Sequence, residues 1–161
     1  MVIKLVLFDA DGTLWGFTNN KDRVRRLNEA VINKDVLPLL NHLKKRNIPC
    51  KLLTYQQYND KRYSQRKIKY WLKHFNLLRY FNEIFIADKN NNIKEEIIKK
   101  ILSSNRLEKN EIMFIGDRYK WDYLPAKNTG IKAILLDNPD NKIYKVKKYT
   151  FKQLIKSFNF Y

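Results

Sequence analysis

The sequence has few of the residues that build disulfides, thiolate metal sites or flexible linkers. Its 161 residues include one cysteine, four glycines and four prolines. A single cysteine excludes an internal disulfide, and Cys50 lies in the apolar stretch NIPCKLLTY, which indicates a buried residue rather than a reactive thiol. No stretch approaches the roughly 18 consecutive apolar residues of a membrane span. We therefore expect a cytoplasmic protein with no membrane partner.

Acidic residues are also scarce, since the chain has 16 Asp and Glu but 33 Lys and Arg, which gives a formal charge of +17. Such a charge attracts anionic substrates or polyanions, although the abundance of Lys, Asn, Ile and Tyr is equally typical of an AT-rich genome. With 44% hydrophobic residues, the chain can bury one good-sized core but hardly two. We predict a single domain over residues 1–161.

Five short segments are rich in aliphatic and β-branched residues and predict strands: residues 2–8, 48–54, 83–86, 112–115 and 132–136. Their near-continuous apolar character is typical of a sheet that is covered on both faces. Amphipathic patterns between them predict helices that begin near Asp35, Lys61, Asn92, Asp122 and Thr150. Strands that alternate with helices favour an α/β fold with a mainly parallel, five-stranded sheet.

Residues 15–34 are the least regular part of the chain. They contain Gly16 and the polar run TNN, followed by the basic sequence KDRVRRLNEAV. The segment is too short for a second domain but long enough for a short flap over a site. Trp15, at its start, is interpreted as a core aromatic in preference to a residue of the pocket rim.

Polar side chains follow four of the predicted strands. Ligands of such sheets bind outside the carboxyl ends of the strands, which places these residues at one edge: Asp9, Asp11, Thr54, Asp88, Lys89 and Asp117. The carboxylates of Asp9, Asp11 and Asp117 would repel one another unless a cation lay among them. Oxygen ligands favour Mg²⁺, which commonly binds substrate phosphate as well, so the pattern indicates phosphate chemistry.

The spacing of Asp9 and Asp11 suits two different chemical roles. One carboxylate can attack phosphorus while the other protonates the leaving oxygen and later activates water. Gly12 frees the turn so that backbone N–H groups can approach an anion. A hydroxyl from Thr54 and an ammonium from Lys94 could hold the phosphoryl oxygens.

Each feature also has a simpler interpretation. Asp-x-Asp-Gly-Thr can be a turn or part of a calcium loop, and Thr54 a residue that merely ends a strand. Lys94 can be a solvated lysine at a helix start, while Asp117 and Asp122 can cap a helix. The order and position of all these pieces together favour the functional interpretation.

Four stretches, VLFDADGTLW, CKLLTY, the lysine of NNIKEEIIKKI, and IMFIGDRYKWDYLPAKNTG, resemble the successive motifs of the haloacid dehalogenase-like superfamily. The resemblance implies a Rossmann-like three-layer core, a Mg²⁺ cofactor and hydrolysis of phosphoric monoesters through an aspartyl-phosphate. It implies that Asp9 is the nucleophile and a metal ligand, and that Asp11 is the general acid/base and binds metal through its carbonyl oxygen. By the same resemblance Thr54 binds phosphate and Asp117 binds metal.

Two further assignments follow from the resemblance. Lys94 would stabilise the phosphate and the nucleophile, although Lys89 is an alternative; the helix start and the 23-residue interval to Asp117 favour Lys94. Asp122 corresponds to a second acid of the fourth motif, which binds metal through water or orients the lysine.

The resemblance also narrows the type of hydrolase. The dehalogenases lack a second aspartate in the first motif, so Asp11 implies phosphate-ester chemistry. Intervals of 45 residues from Asp9 to Thr54 and 40 from Thr54 to Lys94 leave no room for a full cap domain. The open site would suit an extended substrate, or closure by a neighbouring subunit. We accordingly expect a monomer or a homodimer. Among capless members, FDADGTLW is similar to the magnesium-dependent phosphatase group, although Gly-Asp in the fourth motif and Thr-Tyr in the second depart from it.

The leading hypothesis is thus a magnesium-dependent phosphohydrolase with a phosphorylated substrate. A second is a polynucleotide end phosphatase, suggested by the acid-free residues 141–161 and by a basic helix face that comprises Arg62, Arg66, Lys69 and Lys73. A third is a non-catalytic module of the same fold that binds nucleic acid or protein.

Overall fold

A computed structural model describes residues 2–17, 30–56, 61–88 and 93–158. In these residues eight strands form: β1 (Leu5–Phe8), β2 (Trp15–Phe17), β3 (Ala30–Ile32), β4 (Cys50–Tyr55), β5 (Phe81–Ala87), β6 (Ile112–Gly116), β7 (Lys132–Leu136) and β8 (Lys148–Tyr149). Six of them make a parallel sheet in the order β5-β4-β1-β6-β7-β8. The predicted α/β class is confirmed.

Five α-helices lie in the same residues: α1 (Val36–Lys45), α2 (Lys61–His74), α3 (Lys94–Asn105), α4 (Leu124–Thr129) and α5 (Phe151–Phe158). One apolar cluster joins the sheet to α1, α2 and α5, with Leu39, Trp71 and Leu154 among its members. A second cluster joins the opposite face to α3 and α4 through Ile98 and Ala126. The molecule therefore has three layers, with the sheet in the middle. None of the described helices has both the length and the apolar character needed to cross a bilayer.

The predicted strand count of five was wrong, because β8 adds a sixth strand. It pairs in parallel with Leu135 and Leu136 of β7. β8 consists of the two residues Lys148 and Tyr149 in a lysine-rich stretch, so it has no hydrophobic pattern that sequence reasoning could detect.

Local signals set several element ends. The predicted cap at Thr150 is confirmed, because its Oγ1 accepts from the Gln153 N–H (3.3 Å) and Gln153 Oε1 accepts from the Thr150 N–H (2.8 Å). Gly130 ends α4 with a φ of 82°, as expected of a C-terminal glycine. Asp35 lies at the start of α1, but its side chain makes no capping hydrogen bond.

The two ends of the predicted flap segment pair with each other. Trp15–Phe17 and Ala30–Ile32 form an antiparallel ladder. The buried indole of Trp15 stacks on Trp71 and Phe75, both with ring centroids 5.8 Å away, which anchors β2 to α2. Residues 18–29 lie outside the described residues, so the flap and the single domain stay predictions.

Cys50 is buried in β4, as its apolar setting predicted. Burial raises the pKa of its thiol to about 12. Cys50 is therefore a small apolar core residue without thiolate chemistry.

Candidate active site

The carboxyl ends of three adjacent strands bring the predicted acids and hydroxyl together. β1 lies between β4 and β6 in the sheet, and Phe8 is in register with Leu52 and Ile115. The Asp9 N–H donates to the carbonyl oxygen of Ile115 (3.0 Å), which extends this pairing to the first residue of the site. Asp9, Thr54 and Asp117 consequently meet at one edge, whereas Asp88 follows the outermost strand β5.

Lys94 bridges two buried carboxylates. Its Nζ donates to Asp9 Oδ1 (2.8 Å) and to Asp122 Oδ1 (2.5 Å), and all three residues are at least 94% buried. Lys94 is the first residue of α3, which carries its ammonium to the end of β1. The structure thus places Lys94 in the site, as predicted, while Lys89 lies outside the described residues.

A single π-helical turn, Tyr119–Tyr123, positions Asp122. Asp122 Oδ2 accepts from the Arg118 N–H (2.8 Å), while the Asp122 N–H donates to the Arg118 carbonyl oxygen (2.9 Å). A Cβ at Gly116 would lie 2.3 Å from the Cβ of Asp122, so a glycine is needed for this approach. π-Turns often occur at functional sites, and here the turn aims Asp122 at Lys94.

Asp117 is held by side chains from two other segments. Thr13 Oγ1 donates to its Oδ1 (3.4 Å) and Asn138 Nδ2 donates to its Oδ2 (3.1 Å). Buried Asn141 donates from Nδ2 to the Asp117 carbonyl oxygen (2.6 Å) and accepts from the Tyr119 N–H (3.4 Å). The orientation of this carboxylate therefore depends on the loop that follows β7.

Gly12 allows a close approach to Asp117 and offers no free hydrogen-bond donor to a ligand. Its φ is +85°, and a Cβ there would lie 2.2 Å from Asp117 Oδ2. Its N–H donates to the Trp15 carbonyl oxygen (2.7 Å), so the prediction that this loop offers N–H groups to an anion does not hold for Gly12 itself. The glycine instead lets the first loop approach Asp117.

Asp11 points to a different part of the site. Its Oδ1 accepts from Trp15 Nε1 (2.8 Å) and its Oδ2 from Gln56 Nε2 (3.4 Å). These two donors, one from β2 and one just after β4, fix the orientation of the carboxylate. Asp11 is partly exposed at the edge of a cleft of about 510 Å³.

The hydroxyl of Thr54 is a buried polar atom without a partner. The residue is fully buried, and its Oγ1 makes no hydrogen bond within the described part of the chain. An unpaired buried hydroxyl costs free energy. A ligand oxygen at this strand end would remove that cost.

Burial and like charge dominate the electrostatics of the site. Burial, and then the Asp122 carboxylate, raise the pKa of Asp9 well above its usual range. The same two causes raise the pKa of Asp117 to about 6. Burial alone would lower the pKa of Lys94, but the carboxylates of Asp122 and Asp9 raise it. Lys94 therefore remains charged, and negative charge is in excess.

The residues present fit a hard divalent cation. Asp9, Asp117 and Asp122 each offer an oxygen, and these atoms lie within 4.8 Å of one another. Three carboxylates minus the one Lys94 ammonium leave a formal excess of two negative charges. The oxygen-only donor set suits Mg²⁺. Asp122 completes this trio, whereas the side chain of Asp11 lies outside it, in keeping with a metal contact through its carbonyl oxygen.

Sequence reasoning missed four supporting residues: Trp15 as a donor, Gln56, Asn138 and Asn141. Gln56 lies two residues beyond Thr54, a spacing that puts side chains on one face of a strand. Asn138 and Asn141 follow β7, so the strand-end rule could have included them if it had been applied to the last predicted strand.

The cleft beside Asp11 is acidic, in contrast to the chain as a whole. Its lining includes the exposed carboxylates of Asp35, Asp137 and Asp140, together with Arg118. The site is thus a local region of negative potential in a protein with a charge of +17.

Comparisons with known proteins agree with this architecture. The fold is similar to that of a protein from Listeria monocytogenes serotype 4b (TM-score 0.74, 18% identity, 98% of each chain covered). It also resembles a haloacid dehalogenase-like family hydrolase from Streptococcus pneumoniae (TM-score 0.71, 17% identity, 97% of this chain and 98% of that one). A third similar structure is a haloacid dehalogenase-like (HAD) phosphatase from Thermococcus onnurineus (TM-score 0.62, 24% identity, 81% of this chain and 60% of that one covered).

A sequence comparison with curated proteins gives no significant match. The profile of the haloacid dehalogenase-like hydrolases matches residues 15–136, beginning just after the first acidic pair. This match spans more than half of the chain and includes Thr54, Lys94, Asp117 and Asp122. The chain belongs to the haloacid dehalogenase-like hydrolase family.

Proposed function

We propose that the protein is a magnesium-dependent phosphatase that hydrolyses phosphoric monoesters through a covalent aspartyl-phosphate on Asp9. The observation that carries this proposal is the contact between Lys94 Nζ and Asp9 Oδ1 (2.8 Å), at the same sheet edge as the buried Thr54 hydroxyl, which has no hydrogen-bond partner among the described residues. A nucleophile, a cation and a spare hydroxyl at one strand edge are the groups that a phosphoryl group requires. Solved structures of the same fold that are called phosphatases are in keeping with it.

The first half of the reaction transfers the phosphoryl group to Asp9. A carboxylate oxygen of Asp9 attacks phosphorus, and the bond between phosphorus and the ester oxygen breaks. Asp11 gives its proton to that oxygen, so the leaving group departs as a neutral alcohol. Lys94 holds the Asp9 carboxylate in place through Oδ1.

The second half releases phosphate. Asp11, now a carboxylate, takes a proton from water, and the resulting hydroxide attacks phosphorus and displaces Asp9. Trp15 and Gln56 hold the Asp11 carboxylate through both of its oxygens during this step. Inorganic phosphate leaves, and Asp9 is regenerated.

Charge stabilisation comes from three sources. Thr54 donates its hydroxyl proton and Lys94 its ammonium protons to the equatorial phosphoryl oxygens. Asp9, Asp117 and Asp122 would hold the Mg²⁺ ion, which when bound would supply positive charge to offset the negative charge of the phosphoryl group. Asp122 orients Lys94 at 2.5 Å.

The test compares phosphate release by the wild type and by Asp9→Asn in the presence of Mg²⁺. The panel holds an aryl phosphate, sugar phosphates, nucleoside monophosphates, and oligonucleotides with 3′- or 5′-phosphates. We expect Asp9→Asn to lower turnover by a factor of roughly 1,000 or more. Its fold should persist, because an amide replaces a buried carboxyl group whose pKa is already raised.

Two results would contradict the proposal. Equal inertness of the wild type and Asp9→Asn on the whole panel would rule out phosphatase activity. Unchanged turnover in Asp9→Asn would rule out Asp9 as the nucleophile. Mass spectrometry of Asp11→Asn, quenched rapidly after mixing with an aryl phosphate, supplies an independent readout. This variant lacks the base of the second half-reaction, so one phosphoryl group should remain on Asp9.

A second candidate is a polynucleotide end phosphatase. α2 contains six Lys and Arg residues and no acid, and the predicted basic face is exposed: Arg62, Arg66, Lys69 and Lys73. On the same panel, turnover confined to oligonucleotides and lost at moderate salt would favour this function, since phosphate contacts release counterions. Salt-sensitive oligonucleotide binding without any turnover would instead favour a non-catalytic module.

A further inference from the structure

A tryptophan with about half of its surface exposed lies beside the catalytic residues. Trp121 is 48% exposed, and its indole stacks on the ring of Tyr55 with centroids 5.1 Å apart and planes at 26°. Neither residue belongs to the lining of the acidic cleft. Exposed aromatic rings of this kind are typical of binding surfaces because they offer a large, rigid, apolar face.

Both rings are direct neighbours of site residues in the chain. Tyr55 follows Thr54 in β4, and Trp121 precedes Asp122 in the π-turn. Adjacent Cα atoms lie about 3.8 Å apart. β4 and β6 flank β1, so the stacked pair joins the two segments on either side of the strand that delivers Asp9. Each ring is therefore one residue along the chain from a residue of the site.

The π-turn buries one side chain and leaves the preceding one exposed. Asp122 is 1% exposed and contacts Lys94, whereas Trp121 remains in solvent. Tyr119 of the same turn stacks on Tyr144 (4.0 Å) and Tyr123 (5.4 Å) and thus serves packing. Within the described residues, Trp121 has a ring contact with Tyr55 alone.

Tyr55 itself carries a further unsatisfied group. Its hydroxyl is buried and has no hydrogen-bond partner among residues 2–17, 30–56, 61–88 and 93–158. The pair therefore combines an open aromatic face on Trp121 with a Tyr55 ring that is anchored against the apolar cluster beneath α3 and α4.

We infer that Tyr55 and Trp121 form a stacking subsite for a planar aromatic ring in the leaving group. The preferred substrates are then phosphomonoesters that carry such a ring, of which mononucleotides are one source and aryl phosphates another. This inference rests on the proposed phosphatase function. A ring stacked on Trp121 would hold its phosphate over Asp9, so the subsite raises kcat/KM for ring-bearing substrates selectively.

The experiment compares AMP with ribose 5-phosphate, which has the same sugar and phosphate but no base. We expect the wild type to favour AMP by roughly tenfold in kcat/KM, as one base-stacking contact allows. Trp121→Ala should bring this ratio close to one, while Trp121→Phe, which keeps an aromatic face, should retain most of it. Tyr70→Ala is the matched control, because Tyr70 is 58% exposed on α2 and should leave the ratio unchanged.

In this comparison, three outcomes would overturn the subsite. The first is an AMP preference that persists in Trp121→Ala. The second is a preference that changes instead in Asp140→Asn, which would place the leaving group in the acidic cleft. The third is the absence of any preference for a ring in the wild type. A preference for phenyl phosphate over ribose 5-phosphate without one for AMP would support the stacking subsite, and identify aryl esters as its ligands, only where Trp121→Ala lowers that preference, because phenol is intrinsically the better leaving group. A phenyl phosphate preference that is unchanged in Trp121→Ala would overturn the subsite.

A binding measurement separates this inference from the function on which it rests. Calorimetric titration of AMP and ribose 5-phosphate into the Asp9→Asn protein with Mg²⁺ needs no turnover. Tighter binding of AMP that is lost in the double variant with Trp121→Ala supports the subsite even if no substrate is hydrolysed. Equal affinity for both ligands counts against the subsite even if hydrolysis is observed.

Discussion

Two glycines near the site differ sharply in what surrounds them. A Cβ on Gly12 would meet Asp117 Oδ2 at 2.2 Å, and the residue has a φ of +85°. A Cβ on Gly16 would meet no atom of the described residues within 4 Å, and Gly16 has no positive φ. The pair therefore offers a matched comparison in which one position constrains an acidic side chain and the other does not.

Gly12→Ala is expected to displace Asp117 and to lower kcat by roughly 100-fold. It should also lower the free energy of unfolding by about 1–2 kcal/mol, because an L-residue is strained at positive φ. Stabilisation by Mg²⁺, measured as a shift in Tm, should be largely lost. Gly16→Ala should match the wild type in all three measurements. Wild-type Mg²⁺ stabilisation in Gly12→Ala would show that the position of Asp117 does not depend on this glycine.

How far single residues could be predicted depended on their chemistry. The meeting of Asp9, Thr54, Lys94 and Asp117 at one edge of the sheet could be predicted, because each lies at a strand end or a helix start. Their roles in phosphate chemistry stay predictions. Asn138 and Asn141 could not be predicted, because an asparagine in a loop is an ordinary turn residue until its distance to Asp117 is known. The contact between Trp15 and Asp11 was also missed, since burial of an aromatic side chain says nothing about the direction of its N–H.

At the scale of elements, β2 and α2 are joined by an aromatic stack that also reaches the site. The indole of Trp15 contacts Trp71 and Phe75 of the α2 region, and its Nε1 donates to Asp11. One side chain thus combines the packing of two elements with the orientation of a carboxylate. The interpretation of Trp15 as a core residue is correct but incomplete.

Trp15→Phe should keep an aromatic ring in the stack while it removes the N–H donor to Asp11 and part of the buried ring system. We expect kcat to fall by roughly tenfold, because Asp11 loses one of its two described side-chain donors, with a cost of about 1–3 kcal/mol in unfolding free energy from the lost hydrogen bond and the cavity. Trp71→Phe is the control, since it alters the same stack away from Asp11. It should show a similar change in Tm with nearly wild-type kcat. Equal kcat values in the two variants would mean that the Trp15 N–H does not position Asp11.

Most element positions could be predicted, whereas the irregular pieces could not. β7 covers the residues 132–136 that its aliphatic run predicted, and α1 and α2 follow from their apolar stripes. The helix predicted from Asp122 begins instead at Leu124, after the π-turn. Hydrophobic periodicity cannot separate one wider turn from the helix that it precedes, because both bury the same face.

At the scale of the whole molecule, the acidic residues at the site contrast with the basic surplus of the rest of the chain. The chain carries a charge of +17, yet the described site holds three clustered carboxylates and opens beside an acidic cleft. In the metal-free protein the three carboxylates therefore repel one another, and binding of protons reduces this repulsion.

Stability is expected to depend on pH and Mg²⁺ together. Asp117 has a pKa of about 6, raised from an ordinary value of 3.8. Between these values the unfolded chain is ionised at Asp117 while the native protein keeps the proton, so the stability of metal-free protein falls as pH rises. A cation among the carboxylates removes this cost. The increase in Tm caused by Mg²⁺ should therefore be larger above a pH of about 7 than near pH 5.

Asp117→Asn is the control for this pH dependence, because the amide cannot ionise. Its Tm should fall less steeply with pH than that of the wild type, and Mg²⁺ should shift it less. Thermal melts across this pH range, with and without Mg²⁺, measure both effects. An equal Mg²⁺ shift at both ends of the range would show that the cation does not compete with protons at this site.

The site residues lie at the ends of separate strands. Activity can therefore appear during folding only after these strands have come together. The contact from Lys94 to Asp9 closes over 85 residues of chain, and the contact from Thr13 to Asp117 closes over 104. Such distant pairings form only after β1 has joined both β4 and β6, and contacts of long sequence separation are slow to form. Local helices such as α2 can gain structure much earlier. Recovered activity therefore reports completion of the central sheet, whereas recovered helical signal does not.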